Sequence, residues 1–270
     1  MPYVATGAIR MYYEEYGRGA PLLLISGTGW SGEHWKLEQV PYFSPSYRVI
    51  IFDHRGVART DRPAERYTTR IFANDAFEML DALGVDERVH ILGHSMGGRV
   101  AQWMALDRPE RVRSLILAAT GPGPIDDRPR YPGITPENAA EFVELGWPGY
   151  GEEHVRGVNM FLHASPDVIE RFAATHRGQF GTDLLSYLRH LDARVRHDTR
   201  DRLSEIVTDT LVVVGAEDNY SSPGHLDTSK YLAERLPNAE LVVIPEVAHA
   251  LHIETADTFN EIVSKFLSRH

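Results

Sequence analysis

Val89-His90-Ile91-Leu92-Gly93-His94-Ser95-Met96-Gly97-Gly98 decides the fold of this 270-residue chain. Val89 to Leu92 is a short apolar, β-branched run, as a strand buried on both faces requires. Met96 to Leu106 then reads as a helix. A chain that passes from strand to helix in so few residues holds the turning residue, Ser95, in a strained backbone conformation, and glycines before and after it remove the clashes of its neighbours. The Ser95 hydroxyl therefore projects beyond the sheet. The N–H of Met96, at the head of the helix, faces a site where negative charge can form, helped by the helix dipole. Gly-x-Ser-x-Gly alone also fits a glycine-softened turn with an exposed serine, so the rest of the chain must decide.

A hydroxyl becomes a useful nucleophile when a base takes its proton, and the base needs a carboxylate to hold its tautomer and stabilise its cation. Both residue types follow downstream. Leu211-Val212-Val213-Val214-Gly215 runs into Ala216-Glu217-Asp218-Asn219, and Leu241-Val242-Val243-Ile244 runs into Pro245-Glu246-Val247-Ala248-His249. Each group stands just past a predicted parallel strand, where open α/β sheets carry their functional groups. The order Ser95, Asp218, His249 differs from those of the two large serine protease groups.

With these residues in this order the chain resembles the α/β-hydrolase fold family, and the likeness covers nearly all of its length. It implies an α/β architecture: a mostly parallel sheet flanked by helices, with an inserted helical cap. It also implies roles: Ser95 as nucleophile, His249 as base and Asp218 as its acid. A second oxyanion donor beside the Met96 N–H comes from the loop after an earlier strand. Pro21-Leu22-Leu23-Leu24-Ile25 is that strand, and Ser26-Gly27-Thr28-Gly29-Trp30-Ser31-Gly32 is the loop. Ser26 replaces the histidine usual in the family, and the matching donor is the backbone N–H of Thr28.

Several neighbours compete for these roles. Alternation along an extended segment points only one of Glu217 and Asp218 at the histidine, and Asp218 matches the family position. His252 lies three residues past His249 and reads as a packed histidine. The acid that follows, Glu254, favours His249, although Ala248 stands where the family has glycine. His94 occupies the family's variable elbow position and reads as structural. Asp53-His54-Arg55-Gly56, after the strand Val49-Ile50-Ile51-Phe52, looks like a family turn that braces the site. Its sequel, Val57-Ala58-Arg59-Thr60-Asp61, departs from the usual glycine and serine.

The rest of the chain is consistent with this reading. Tyr3-Val4 and Ile9 to Tyr13, split by Thr6-Gly7, predict an edge hairpin. Phe72, Ala76, Met79, Leu80 and Leu83 recur at helical spacing and stop at Gly84. Phe259, Ile262, Val263, Phe266 and Leu267 repeat the pattern near the end. Between the strand Ser114–Ala119 and the one starting at Thr210 lies a stretch too long for a simple crossover. It opens with Gly121-Pro122-Gly123-Pro124 and carries helix starts at Thr135-Pro136 and Ser165-Pro166-Asp167. Leu184, Leu185, Leu188 and Leu191 mark an apolar face after Thr182-Asp183. Residues 1–121 and 210–270 are thus expected to form the core domain, with 122–209 a cap over the site. The cap aromatics Tyr131, Phe142, Trp147, Tyr150, Phe161, Phe172, Phe180 and Tyr187 hold it down or line an apolar pocket, which suits a small to medium hydrophobic substrate.

Composition narrows the function. Lys and Arg number 28 against 38 Asp and Glu, a formal net charge of −10, interspersed, which opposes binding to nucleic acid. No run approaches the roughly 20 apolar residues that span a bilayer. The N-terminus has no secretory signal pattern, and with no cysteine there is no disulfide framework or thiolate metal site, so a cytoplasmic location is expected. His154, His163, His176, His190 and His197 fit no common ligand spacing and read as helix-surface and loop residues. No metal or cofactor is called for.

The expected function is serine hydrolysis of a carboxylic ester or lactone through an acyl-enzyme. Relatives that place aspartate at the elbow, haloalkane dehalogenases and epoxide hydrolases, are excluded by Ser95. Small bacterial esterases, enol-lactonases and cofactor-free haloperoxidases are the resemblances that remain. Hydrolases of carbon–carbon bonds in ring-cleavage products share the same constellation, and a ligand receptor on the same fold is the alternative of a different class.

Overall fold

The computed structural model describes residues 2–7, 9–126, 160–219 and 224–270. Eight strands form one sheet: β1 (Tyr3–Thr6), β2 (Ile9–Tyr16), β3 (Pro21–Ile25), β4 (Arg48–Phe52), β5 (Val89–His94), β6 (Val112–Ala118), β7 (Thr210–Gly215) and β8 (Ala239–Ile244). Their order is β1-β2-β4-β3-β5-β6-β7-β8. The β1–β2 hairpin joins β4 antiparallel, and every pairing from β4 to β8 is parallel. A parallel strand needs a crossover, supplied by α1 (Gln39–Phe43), α2 (Thr69–Ala82), α3 (Met96–Asp107), α4 (Pro166–Ala174), α5 (Leu184–Val195) and α6 (His225–Arg235), while α7 (Leu251–Glu254) and α8 (Ala256–Leu267) follow the last strand. None of the described helices is long and apolar enough to cross a membrane.

The period of two along each strand divides the interior in half. Leu23, Ile25, Ile50, Phe52, Ile91, Leu115 and Leu117 pack on α2 and α3 on one face. Leu22, Leu24, Val49, Ile51, Leu92 and Ile116 pack on Phe259, Val263, Phe266 and Leu267 of α8 on the other. Helix starts follow side-chain chemistry. The Thr68 hydroxyl accepts the Ile71 N–H at 3.1 Å, Ser165 precedes Pro166 at the first position of α4, and the Asp183 carboxylate accepts the Ser186 N–H at 2.9 Å.

Two expectations are corrected. The leucine stripe of α5 is only partly its buried face: Leu191 is buried, but Leu185 and Leu188 are exposed, while Ser186, Tyr187 and His190 point inward. The reason is polar. His190 Nε2 lies 2.8 Å from the Arg55 carbonyl, its Nδ1 accepts the Gly29 N–H at 3.4 Å, and the Thr182 hydroxyl donates to the Gly56 carbonyl, so hydrogen bonds to two loops set the rotation of the helix. Second, His176, His190 and His197 are buried rather than on the surface. Each ring has a neighbour that accounts for it: His176 Nδ1 is 3.1 Å from the Phe172 carbonyl and His197 Nδ1 is 2.9 Å from the Thr69 hydroxyl. The helix start at Thr135-Pro136, the aromatics Tyr131, Phe142, Trp147 and Tyr150, and His154 lie outside the described residues.

Candidate active site

Four strand ends deliver the site. Ser95 follows β5 with φ 55° and ψ −117°, a region that L residues avoid at a cost of about 1–3 kcal/mol. The surroundings hold it there. Its N–H donates to the Ala118 carbonyl at 2.9 Å, and its carbonyl accepts the Thr120 hydroxyl at 2.6 Å. A Cβ on Gly97 would sit 2.1 Å from the Ile25 carbonyl oxygen, so only glycine lets α3 approach β3 this closely. Met96 is the first residue of α3, where backbone N–H groups have no acceptor within the helix.

The loop after β3 lies against the elbow. Gly27 stands next to Ser95, and Thr28 lines the same cavity. The Ser26 hydroxyl accepts from Trp35 Nε1 at 3.1 Å and donates to the Ser31 carbonyl at 3.2 Å, so the residue that replaces the family's histidine ties the loop to itself. The Asp53 carboxylate accepts the Gly32 N–H at 2.8 Å and pairs with Arg59 Nε at 2.7 Å. Burial pushes the Asp53 carboxyl up, against the pull of Arg59. The turn after β4 is thus a brace for this loop.

Beyond β7, Asp218 is fully buried and Glu217 is exposed. Asp218 Oδ2 lies 2.8 Å from His249 Nδ1, and Oδ1 lies 3.1 Å from His225 Nδ1 at the start of α6. Burial would raise this carboxyl, but His249 and then His225 outweigh it and hold it well below the ordinary carboxylate range. The His225 ring stacks on that of His249 at 4.5 Å, and burial lowers His225 to about 4. Among the described residues these three are the group whose ligand atoms come close enough, within 4.8 Å, to hold a metal ion. Both imidazoles already spend their Nδ1 on the carboxylate, so the trio is built as a hydrogen-bonded unit.

The loop carrying His249 is fastened from both sides. His94 Nε2 lies 3.0 Å from the His249 carbonyl, and the ring stacks on Trp30 at 5.4 Å. Glu254 accepts the Ala248 N–H at 3.1 Å with one oxygen and the Leu162 and His163 N–H groups with the other, while the Ala250 N–H donates to the Met160 carbonyl at 2.8 Å. His252 is packed between His94 and Trp35, with centroids at 4.4 and 4.9 Å, and burial takes its pKa well below the ordinary value.

Gly27, Thr28, Trp30, Ser95, Met160, Arg194 and His249 line one cavity of about 10 Å³, space for one water. The structure therefore brings Ser95, Thr28 and His249 to a common space, sets Met96 directly after Ser95, and puts Asp218 in contact with His249. His225, Met160 and Arg194 escaped the sequence reading. Nothing in their local patterns marks them; His225 reaches Asp218 across seven positions, and Met160 and Arg194 enter from the long insertion.

Fold and site together define a hydrolase. A model of the α/β-hydrolase fold matches residues 20–256, and the chain belongs to this family. It is 30% identical, over 98% of either chain, to a RutD protein of Azorhizobium caulinodans provisionally named a carbamate hydrolase. It is 29% identical to 2-hydroxy-6-oxononadienedioate/2-hydroxy-6-oxononatrienedioate hydrolase 2 of Pseudomonas putida, over 96% of this chain and 92% of that one. Among solved structures it is similar to Est816, described as an N-acyl homoserine lactone degrading enzyme, with 29% identity, a TM-score of 0.78, and coverage of 98% and 100%.

Proposed function

We propose that the chain is a serine hydrolase of carboxylic esters or lactones, with Ser95 as nucleophile, His249 as general base and acid, and Asp218 as the group that orients His249. The observation that carries this reading is the 2.8 Å contact between His249 Nδ1 and the buried Asp218 carboxylate. That contact fixes the tautomer with Nε2 free of its proton, on the ring that shares a cavity with Ser95. Ser95 attacks the carbonyl carbon, its proton passes to His249, and the tetrahedral oxyanion receives the N–H groups of Met96 and Thr28. Each such donor is worth ~10²–10³ in rate. His249 then protonates the leaving alcohol, and water, deprotonated by the same imidazole, releases the acid. The reaction consumes no cofactor.

Residues 122–209 are assigned here as the cap. Support comes from Phe172 of α4, which packs edge-on to Trp30 at 5.0 Å, and from Met160, which lines the cavity. A cap of this kind excludes bulk water from the acyl-enzyme.

A fluorophosphonate tests the reading. The wild type takes one label, mapped by mass spectrometry to Ser95, and Ser95→Ala takes none. An unlabelled wild type, or a label that persists in Ser95→Ala, removes Ser95 from its role. A side-by-side panel of nitrophenyl esters, acyl lactones, carbamates and dienone acids then ranks the bond classes.

A further inference from the structure

We propose that Arg194 is a carboxylate subsite, so that the preferred substrates are esters or lactones bearing an acid group a few bonds from the scissile carbonyl. The inference rests on the serine hydrolase reading and narrows it to a substrate class.

Arg194 stands one residue before the end of α5 and is half-buried. It lines the same cavity as Ser95 and His249. Its own carbonyl accepts Nη1 of Arg99 at 2.5 Å, which fastens the end of α5 to the helix that begins at the elbow. The arginine is therefore held in place by its backbone, independently of its charge.

Its guanidinium is the unusual feature. Other arginines close to the loops of the site have carboxylate partners: Arg55 with Asp75, Arg59 with Asp53, and, two positions along the chain, Arg196 with Asp192. Arg194 has none among the described residues. The acid nearest to the chemistry cannot serve, because both oxygens of Asp218 are engaged by imidazoles. Arg194 is half-buried in the wall of a cavity shared with Trp30 and Met160, and its planar donor fork matches a carboxylate with two hydrogen bonds at a time. A neutral ester leaves that donor fork unmatched.

The chain's net charge of −10 sharpens the argument. The overall field repels an anionic substrate, so attraction cannot arise at long range and has to be supplied at contact. Arg194, with no carboxylate partner among the described residues, meets that requirement. Because Arg194 and Ser95 share one cavity, the carboxylate it binds and the carbonyl that Ser95 attacks belong to one compact molecule, such as a monoester of a short dicarboxylic acid or a lactone with a short acid side chain.

Two measurements test the proposal. The first is the ratio of kcat/KM for the nitrophenyl monoester of glutaric acid over that for nitrophenyl butyrate. Arg194→Met lowers this ratio roughly 10–100-fold, with the change in KM, and Arg194→Lys recovers part of it. A ratio within twofold of the wild type in Arg194→Met overturns the proposal, whatever the absolute rates. The second needs no turnover: calorimetric binding of glutarate to Ser95→Ala protein, with and without Arg194→Met, each variant checked for folding by its melting curve. Binding that weakens at least tenfold on removal of the guanidinium supports the subsite. Glutarate that fails to bind, or binds equally to both proteins, overturns it even where Ser95 labels and neutral esters are hydrolysed. Failure of labelling with glutarate binding intact overturns the hydrolase reading instead.

Discussion

His225 and His249 hold the two oxygens of one carboxylate: Nδ1 of His225 is 3.1 Å from Asp218 Oδ1, Nδ1 of His249 is 2.8 Å from Oδ2, and the rings stack at 4.5 Å. Burial keeps His225 neutral above about pH 4, against the pull of Asp218 and with a further push from Arg99. Neutral His225 therefore donates to Asp218 throughout the working range. A carboxylate that already accepts one such bond is a weaker partner for a second cation. Replacing His225 with Phe removes the competitor, so the acid limb of the kcat/KM profile moves to higher pH by about half a unit to one unit. His225→Asn keeps a donor at the Nδ1 position and returns the limb toward the wild type. A Phe variant with an unshifted limb would show that His225 only fills space.

Glu254 joins the His249 loop to the segment Leu162–His163 through three backbone N–H groups. Hydrogen bonds to a charged acceptor are the stronger kind, and their loss leaves the N–H of buried Ala248 unpaired, while Leu162 and His163 are exposed and turn to water. Glu254→Ala is expected to cost about 1–2 kcal/mol in urea unfolding. With the loop loosened, kcat should fall more than KM rises. Equal stability of the variant and the wild type would contradict the anchoring role.

The buried histidines make stability fall on the acid side. Burial takes His34 and His54 to about 3, and His90, His176, His190 and His225 to about 4, while the unfolded chain titrates near 6.5. Between these values the unfolded state binds more protons than the folded one, so stability rises with pH. The full contribution is present above about 6.5 and is lost as pH falls toward 4. Each such histidine contributes a slope of about 1.4 kcal/mol per pH unit inside its window. Melting temperature should therefore be flat above pH 7 and decline steeply from 6 to 4. A level profile over that range would refute the neutral, buried state.

Ala58 carries a positive φ of 43° in the turn that braces the site. An L residue pays for that conformation, and glycine does not. Ala58→Gly should stabilise the fold by about 0.5–1 kcal/mol after the glycine's larger unfolded-state entropy is subtracted. Chemical denaturation measures this directly, and a destabilised variant would mean that the Ala58 methyl contributes packing that outweighs the strain.

The sheet and the elbow were legible because their causes are local. Near-continuous apolar runs define β3 to β7, and the glycines around Ser95 announce a turn that few other sequences can make. Asp218 and His249 could be singled out because each stands in the loop just past a strand, and parallel strands finish on the same edge. The rotation of α5 was misread for the opposite reason. Its leucines follow a helical stripe, yet His190 meets the Gly29 N–H from 161 positions away, and that contact leaves Leu185 and Leu188 outward.

By itself the sequence determined the backbone: which runs pair as strands, where the chain must turn sharply, and which residues those turns lift to one edge. Only the tertiary structure decided the electrical state of the side chains. His225 finds its carboxylate, His34, His54 and His190 are withdrawn from water, and Arg194 meets no carboxylate among the described residues, all because of what distant segments place around them. Chain conformation is set over a few residues, whereas desolvation and ion pairing depend on everything that the fold packs within several ångströms.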